Sequence, residues 1–597
     1  MIKLIERSRY IHLEGDQEQL KWLRSKLRYR PKNYWRSDAY RCYRQTDGKK
    51  GWDGYRYPLR YYANQGWAVL RGRKDDILEL CAEEGIRVDR DGLFKSPFAE
   101  WTLDDIPDDL IQADFALDDH QKEAVLQWLQ NCFGIANMAV NAGKTATFAA
   151  AASLIKRNYG KARFLYFTFS ERLVRQVYAA MREFLPGWEI TQYGGGKKDK
   201  TGQDMVVATQ AMLNKHFPEL QQEGWFDSFT GLLLDESHHT QSETAQKIIL
   251  ASKALFRLGA SDSTKEADPD KWNAIRGLCG PVRCGVSSSW LIDEGRSAAP
   301  VVYIVDVPEW NNLYEGAPHT AEPNSPARWF RHGQWVDGVY RGPVLKRDDE
   351  GKTVWRKRRI WDDEEETWKT ETVAETEPSL HRVEFDGRIW RADARYVLLD
   401  RRYDEAIIRF DRRNQMIADW VRFYSGKGWP TLVVATRTPH VLLLEEMLRE
   451  VVGSKVTLLF GEDTSAHRDK VFDWFKRTPG SVLVTPLVKE GVSINEIKAG
   501  VIADPIADIE VARQIIGRFM RRKKDENVCH ITWFLDRQHP RFRRNATEII
   551  GSLEKLKGFT FYYPCAGPET IGQALIHRGG SPGQSATPGR TRILKRS

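Results

Sequence analysis

Short apolar runs recur along the chain and alternate with stretches of helical periodicity. Gly134-Ile135-Ala136-Asn137-Met138-Ala139-Val140 reads as a buried strand, and an alanine-rich stretch from Thr145 to about Arg157 reads as the helix after it. Gly231-Leu232-Leu233-Leu234 is a second buried strand. Thr431 to Thr436 is a third, with a helix expected from about Pro439 to Glu450. Ahead of the first strand, Leu117-Asp118-Asp119-His120-Gln121 opens an amphipathic stretch that runs to about Leu129. Strands that are apolar throughout are buried on both faces. They predict an α/β fold with parallel sheets covered by helices, in two separate blocks.

Two regions break the rhythm. Near the N-terminus, a helix from about Asp75 to Glu84 and a strand at Ile86-Arg87-Val88 predict a small α+β unit. Between the blocks, Trp329, Trp335, Trp355, Trp361, Trp368 and Trp390 punctuate polar alternation, and Asp348-Asp349-Glu350-Gly351 and Asp386-Gly387 are hairpin turn signals. That pattern predicts a β-rich insert. From Gly579 onward the composition is that of a linker with a basic end, and disorder is expected. The expected organisation is an accessory domain over 1–100, a first lobe over 101–305, the insert over 306–400, a second lobe over 401–560 and a C-terminal extension over 561–597.

A length of 597 residues exceeds what a single core supports. The 91 Lys and Arg outnumber the 82 Asp and Glu, and the chain carries 21 Trp and 21 Tyr, which suits a partner that is polyanionic and offers flat surfaces. Nucleic acid meets both conditions. The basic residues crowd together with aromatics before residue 75, where Arg36, Arg41, Arg44 and Trp52 are candidates for phosphate and base contacts. Trp22, Leu23 and Leu27 in the same region have helical spacing and read as packing. The 7 cysteines are scattered and form no Cys-x-x-Cys pair, which argues against a disulfide framework or a zinc ribbon and for a reducing compartment. The start lacks the apolar core of a signal peptide, and no run of about 18 apolar residues occurs, so a cytoplasmic protein without membrane contact is expected.

The candidate chemistry sits at the ends of the predicted strands. Asn141-Ala142-Gly143-Lys144-Thr145 lies between a strand and a helix, the context in which a helix N-terminus, a lysine and a hydroxyl hold phosphates and Mg²⁺. Met138 and Asn141 stand where this loop usually has glycine, and asparagine is the residue other than glycine that best tolerates a left-handed backbone. Asp235 and Glu236 follow the strand at 231–234, placed for a metal carboxylate and a water-activating base. Gln514, Gly517, Arg518 and Arg521 form a third group, with Gln514, Arg518 and Arg521 expected on one helix face. The Gln121 amide can hold an adenine edge.

Together these segments resemble a superfamily 2 helicase of the DExH type, in the branch that includes the phage recombination helicase UvsW, XPB and type III restriction motors. The resemblance covers about residues 101 to 305 and 400 to 550. Phe164 to Gln176 is similar to the family's motif Ia and Val206 to Gln210 to the next strand-end motif, which implies that Thr168, Ser170 and Thr209 contact a nucleic-acid backbone. Ser481 to Thr485 with Lys489-Glu490-Gly491-Val492-Ser493 is similar to motif V, and His238 completes the acidic motif. Gly491 and His238 thereby join the expected nucleotide site. Asp262 and Ser263 depart from the family's Ser-Ala-Thr motif. The resemblance implies two RecA-like parallel-sheet motor domains in tandem, with ATP and Mg²⁺ as cofactors. Thr145 and Asp235 would hold the metal, Glu236 would act as base, and Arg518 and Arg521 would stabilise the transition state. The implied function is an ATP-dependent DNA helicase or translocase acting on branched, forked or duplex DNA in replication, recombination or repair, in a bacterial cell or phage-infected host. A duplex translocase without strand separation and a nucleic-acid-binding scaffold with a degenerate ATPase are the alternatives. RNA also fits motifs that grip phosphates and sugars. The insert at 306–400 is a candidate protein-binding module.

Overall fold

The computed structural model describes residues 1–46, 48–262, 268–307, 403, 407–460, 463–486, 496–523, 526–536, 540–573 and 575–578, and the strands at 334–336, 339–341, 355–362, 367–374, 381–385 and 388–392. The described residues fall into two compact units. One holds Met1–Ala299 and Arg513–Val528; the other holds the described parts of Pro300–Val488, Glu496–Ala512 and Cys529–Ser597.

The first unit begins with a 5-stranded sheet in the order Arg60–Tyr62, Gly66–Leu70, Tyr10–Gly15, Ile2–Glu6, Val88–Gly92. Ile2, Leu4, Ile11 and Leu13 face the helices Gln17–Leu27 and Lys74–Glu83, and the core they form takes in Leu20, Leu23, Leu27, Ile77 and Cys81. The strand expected at 86–88 begins later, because the Ile86 N–H donates to the Cys81 carbonyl at 2.8 Å in the turn that closes the helix. Several basic residues of this region do structural work. Arg71, 2% exposed, donates to Glu6 Oε1 at 2.6 Å and to the Leu255 carbonyl at 2.7 Å. Arg9 reaches the Ala251 carbonyl at 2.7 Å, and the buried Arg257 reaches the Ser8 carbonyl at 2.9 Å. Gly72 lets the chain press close, since a Cβ there would lie 2.2 Å from the Arg276 carbonyl oxygen. The small sheet is thus fastened to the large one by hydrogen bonds from Arg9, Arg71 and Arg257.

That large sheet has 8 strands in the order Val282–Val286, Phe133–Met138, Phe256–Ser261, Gly231–Leu234, Phe164–Thr168, Met205–Thr209, Ile190–Gly194, Lys197–Lys198. Only the last pairing is antiparallel. Phe164, Tyr166 and Leu233 enter one core with Phe148 and Ala150, while Leu165, Phe167, Leu232 and Leu234 enter another with Leu213 and Phe226. Burial on both faces is what the unbroken apolar runs demanded.

The second unit is built on another 8-stranded sheet, in the order Val456–Leu458, Val482–Thr485, Thr431–Val434, Ala499–Ile502, Val528–Asp536, Ala299–Val307, Thr560–Cys565, Leu575–Arg578. It is parallel from the first of these to Val528–Asp536. Val433, Val484 and Val501 pack on Trp420 and Tyr424 of the helix Asp411–Gly426. Tandem parallel-sheet α/β domains are therefore the fold class. Two strands lie across the boundaries drawn from sequence: Ala299–Val307 and Thr560–Cys565 pair with each other in this second sheet. An apolar strand joins whichever sheet edge can bury it, and local patterning does not name the sheet. Within 306–400, antiparallel pairs form between 334–336 and 339–341, between 355–362 and 367–374, and between 381–385 and 388–392, and Asp386-Gly387 lies outside the described residues. The turn expected at 348–351 and the tail from Gly579 lie outside the described residues. Among the described residues no helix is long and apolar enough to cross a membrane.

Candidate active site

The loop expected to hold phosphate leaves the strand Phe133–Met138 and enters the 16-residue helix Lys144–Tyr159. Two of its residues are left-handed, Asn141 at φ 71° and Gly143 at φ 79°. A Cβ on Gly143 would lie 2.1 Å from Gln121 Nε2, so glycine is required there. Gln121 is buried and fully engaged. Its Oε1 accepts from the Asp118 N–H at 2.9 Å, and its Nε2 donates to the carbonyls of Ala142 at 3.3 Å and Gly143 at 3.4 Å. His120 Nε2 lies 3.1 Å from the same Ala142 carbonyl. The amide expected to read adenine instead holds the loop from behind.

Asp235 and Glu236 follow the strand Gly231–Leu234 as expected, with Glu236 at the left-handed φ of 48°. Lys144 Nζ donates to Glu236 Oε1 at 3.1 Å. The Glu236 N–H donates to Asp235 Oδ1 at 3.0 Å, and the Tyr166 hydroxyl donates to Asp235 Oδ2 at 3.1 Å. His238 Nδ1 lies 2.8 Å from Ser261 Oγ and 3.4 Å from Glu236 Oε2. Glu236, His238 and Asp262 each offer a ligand atom, all within 4.8 Å of one another.

The electrostatics separate the carboxylates. Burial, then the Glu236 charge, pushes Asp235 above the usual carboxylate range. Burial acts the same way on Glu236, but the Lys144 ammonium and His238 outweigh it and hold Glu236 below its ordinary value. Asp262 is raised, chiefly by burial. Lys144 is raised although burial opposes its charge, because Glu236, Asp262 and Asp235 surround it. Among the described residues, nothing donates a hydrogen bond to the buried Glu236 Oε2 or Asp262 Oδ1. Carboxylate oxygens withdrawn from water without donors suit a hard divalent cation, and Thr145 at the helix start adds a hydroxyl beside Tyr166. Tyr166 was not singled out from the sequence. A phenol inside an otherwise apolar strand was the available signal, because a buried hydroxyl needs a partner.

The arginine segment joins this site. The helix Ile509–Phe519 carries Gln514 and Arg518, and its part from Arg513 onward belongs to the same compact unit as the phosphate loop. Asn141 Nδ2 donates to the Gly517 carbonyl at 3.0 Å. Arg521 departs from expectation. It lies beyond the helix end in a β-bridge with Ser297, where the Met520 carbonyl accepts from the Ala298 N–H at 2.7 Å. This backbone pairing ends the helix before Arg521 and removes it from the face shared by Gln514 and Arg518. Burial lowers the Arg521 pKa. Gly491 lies outside the described residues.

The expected nucleic-acid residues divide. Thr168 is buried, its hydroxyl donating to the Ala208 carbonyl at 3.3 Å, and Thr209 is buried, donating to Glu171 Oε1 at 3.1 Å while capping the helix Gln210–Lys215. Hydroxyls at strand ends are claimed by the backbone turns they close, so only Ser170 of the three is partly exposed. In the N-terminal region Arg36, Arg41 and Arg44 are exposed, with Arg41 paired to Asp38 at 3.2 Å. Trp52 is half-buried, its Nε1 donating to the Tyr55 carbonyl at 2.7 Å. Neighbouring rings are stacked internally, with Arg24 over Tyr57 at 4.0 Å and Arg28 over Tyr55 at 4.1 Å. The rings that face solvent are Trp35 at 53%, Tyr61 at 61% and Tyr62 at 39% exposure. Sequence alone did not separate them from the crowd.

Residues 114–261 match the family model of the type III restriction enzyme res subunit, and residues 413–523 match the helicase conserved C-terminal domain. The paired matches cover the stretches that carry the phosphate-loop, acidic and arginine motifs, and they support a superfamily 2 helicase-type motor. Solved structures similar to it include UvsW of bacteriophage T4, with 17% identity, TM-score 0.39 and coverage of 94% of this chain and 98% of that one. The type ISP restriction-modification enzyme LlaBIII bound to DNA is similar at 14% identity and TM-score 0.47, over 74% of this chain and 30% of that one. A fragment described as an HsdR subunit of a type I restriction enzyme from Vibrio vulnificus YJ016 shows 15% identity and TM-score 0.47, over 86% and 78%. No curated protein matches the sequence.

Proposed function

We propose that the protein is an ATP-dependent DNA helicase or translocase that unwinds or remodels branched, forked or duplex DNA in replication, recombination or repair. The observation that carries this reading is one assembly in the first unit: Lys144 bonded to Glu236, Asp235 held by Tyr166, and the Gln514–Arg518 helix bonded to the phosphate loop. Lys144 and the N-terminus of its helix hold the phosphates. Thr145 and Asp235 are the residues to hold Mg²⁺, which when bound neutralises phosphate charge. Glu236, kept ionised by Lys144 and His238, orients water and takes its proton. Arg518 and Arg521 stabilise the charge that develops on the transferred phosphoryl group, and Gln514 orients on the same helix. Gln121 shapes the loop, and Gly491 belongs to the nucleotide set by family resemblance. Ser170 meets the DNA backbone, with Thr168 and Thr209 shaping its loop. Arg36, Arg41, Arg44 and Trp52 add an accessory contact surface, extended by the exposed Trp35, Tyr61 and Tyr62.

The test is ATP hydrolysis by the wild type and by Glu236→Gln, with and without forked DNA. DNA-stimulated turnover that is lost in the variant is expected. A flat wild-type rate beside intact DNA binding overturns the motor and leaves the scaffold. The match to a restriction-enzyme subunit favours one second reading, a duplex translocase that does not separate strands. Strand displacement from a forked substrate distinguishes the two, and stimulation by RNA in place of DNA tests the choice of polymer.

A further inference from the structure

We infer that Asn141 is a positioning residue: its side-chain amide latches the phosphate loop to the arginine-bearing segment, so that Arg518 is oriented before nucleotide binds. The inference rests on the reading of this site as an ATPase. Asn141 occupies a left-handed position, φ 71°, in a loop where glycine is usual and would be unstrained. The side chain is kept at a backbone cost, and the structure shows it in use. Asn141 Nδ2 donates to the Gly517 carbonyl at 3.0 Å, across 376 residues of sequence.

The acceptor is as informative as the donor. The helix ends at Phe519, so Gly517 lies in the last turn, where carbonyls have no partner within their own helix. Asn141 caps one of them from outside. Gly517 also has no room for a side chain, because a Cβ there would lie 2.7 Å from Val140 Cγ1 and 2.8 Å from Val140 Cβ. The glycine absent from the loop and the glycine present in the helix are two halves of one contact. Val140 packs against the bare helix backbone, Asn141 bonds to it, and Arg518 is the next residue along.

Asn141→Gly tests the latch, because it relaxes the loop backbone and removes only the amide. With saturating forked DNA, kcat should fall about 3- to 10-fold, the worth of one hydrogen bond, while the KM for ATP stays within about twofold. In an Arg518→Ala background the same change should cost less than about twofold, because residues that act through one another are not additive. An unchanged kcat, or an equal loss in both backgrounds, overturns the latch. Hydrogen exchange of the nucleotide-free full chain supplies a readout without catalysis: peptides covering 513–523 should exchange faster in Asn141→Gly, and unchanged exchange overturns the contact. A wild type that fails to hydrolyse ATP sinks the ATPase reading, while the exchange result still decides the latch.

Discussion

The two parallel sheets end in opposite ways. In the first unit, the strand ends deliver Lys144, Asp235, Glu236, His238 and Asp262 to one place, where Glu236 Oε2 and Asp262 Oδ1 are buried without a hydrogen bond among the described residues. In the second unit, the corresponding strand ends deliver Thr436, Asp504 and Asp536 into a network in which each oxygen of Asp504 and Asp536 is bonded. Asp504 Oδ1 meets His440 Nδ1 at 2.5 Å, and Asp504 Oδ2 accepts from the Thr436 hydroxyl at 2.7 Å. His440 Nε2 reaches Asn414 Oδ1 at 3.1 Å, and Arg413 grips both oxygens of Asp536 at 2.7 and 3.1 Å. Burial opposes the Asp504 charge, yet His440, Thr436 and Arg413 hold it well below the usual carboxylate range. The same architecture therefore serves two ends. Charges left facing one another with unmet hydrogen-bonding capacity await a ligand, whereas charges paired to the last oxygen hold a fold together.

That contrast can be broken from either side. The largest effect should come from Glu236→Gln, which lowers DNA-stimulated hydrolysis about 100- to 10,000-fold. Its thermal melting should move little, because the change also relieves repulsion between adjacent carboxylates. Next, Asp504→Asn should cost about 3–5 kcal/mol of stability, read by denaturant unfolding, because it removes the buried carboxylate that His440 Nδ1, the Thr436 hydroxyl and the Thr436 N–H all bond. A variant as stable as the wild type would mean that the second network is not structural.

A smaller effect concerns pH. His530 lies stacked on Trp429 with ring centroids 4.4 Å apart, and burial, then Lys427 and Lys498, lowers its pKa from 6.5 to about 4. The unfolded chain binds the proton first, so stability is full above about pH 6.5 and is lost as the pH falls toward 4. Between pH 7.5 and 4.5 the wild type should lose about 2 kcal/mol more than His530→Gln, measured by urea unfolding at each pH. The smallest effect sharpens the first site. Tyr166→Phe removes the hydroxyl that steadies Asp235 and should raise the Mg²⁺ concentration for half-maximal hydrolysis about 3- to 10-fold, with the fold intact.

Much of this molecule was legible before folding. The strands before Lys144 and Asp235, the helices after Lys144 and Thr438, and the pairing of a phosphate loop with an acidic motif all follow from local sequence, because apolar runs and helix starts are set by neighbours in the chain. The N-terminal basic cluster was legible only as a composition. Nothing local showed that Arg71 and Arg257 would be buried as fasteners while Arg36 and Arg44 stayed in water, since guanidinium groups serve either role.

By itself the sequence determined the α/β class, the order of the motifs and the residue types proposed to hold phosphate. Tertiary structure alone decided that the Gln121 amide is spent on the loop, that Thr168 and Thr209 turn inward, that Arg521 leaves the helix, that Ala299–Val307 joins the second sheet, and that Asn141 meets Gly517. Each of these depends on which distant donor or apolar face arrives at a given atom. Hydrogen-bond demand and burial are settled by partners in space, and a local pattern carries no record of them.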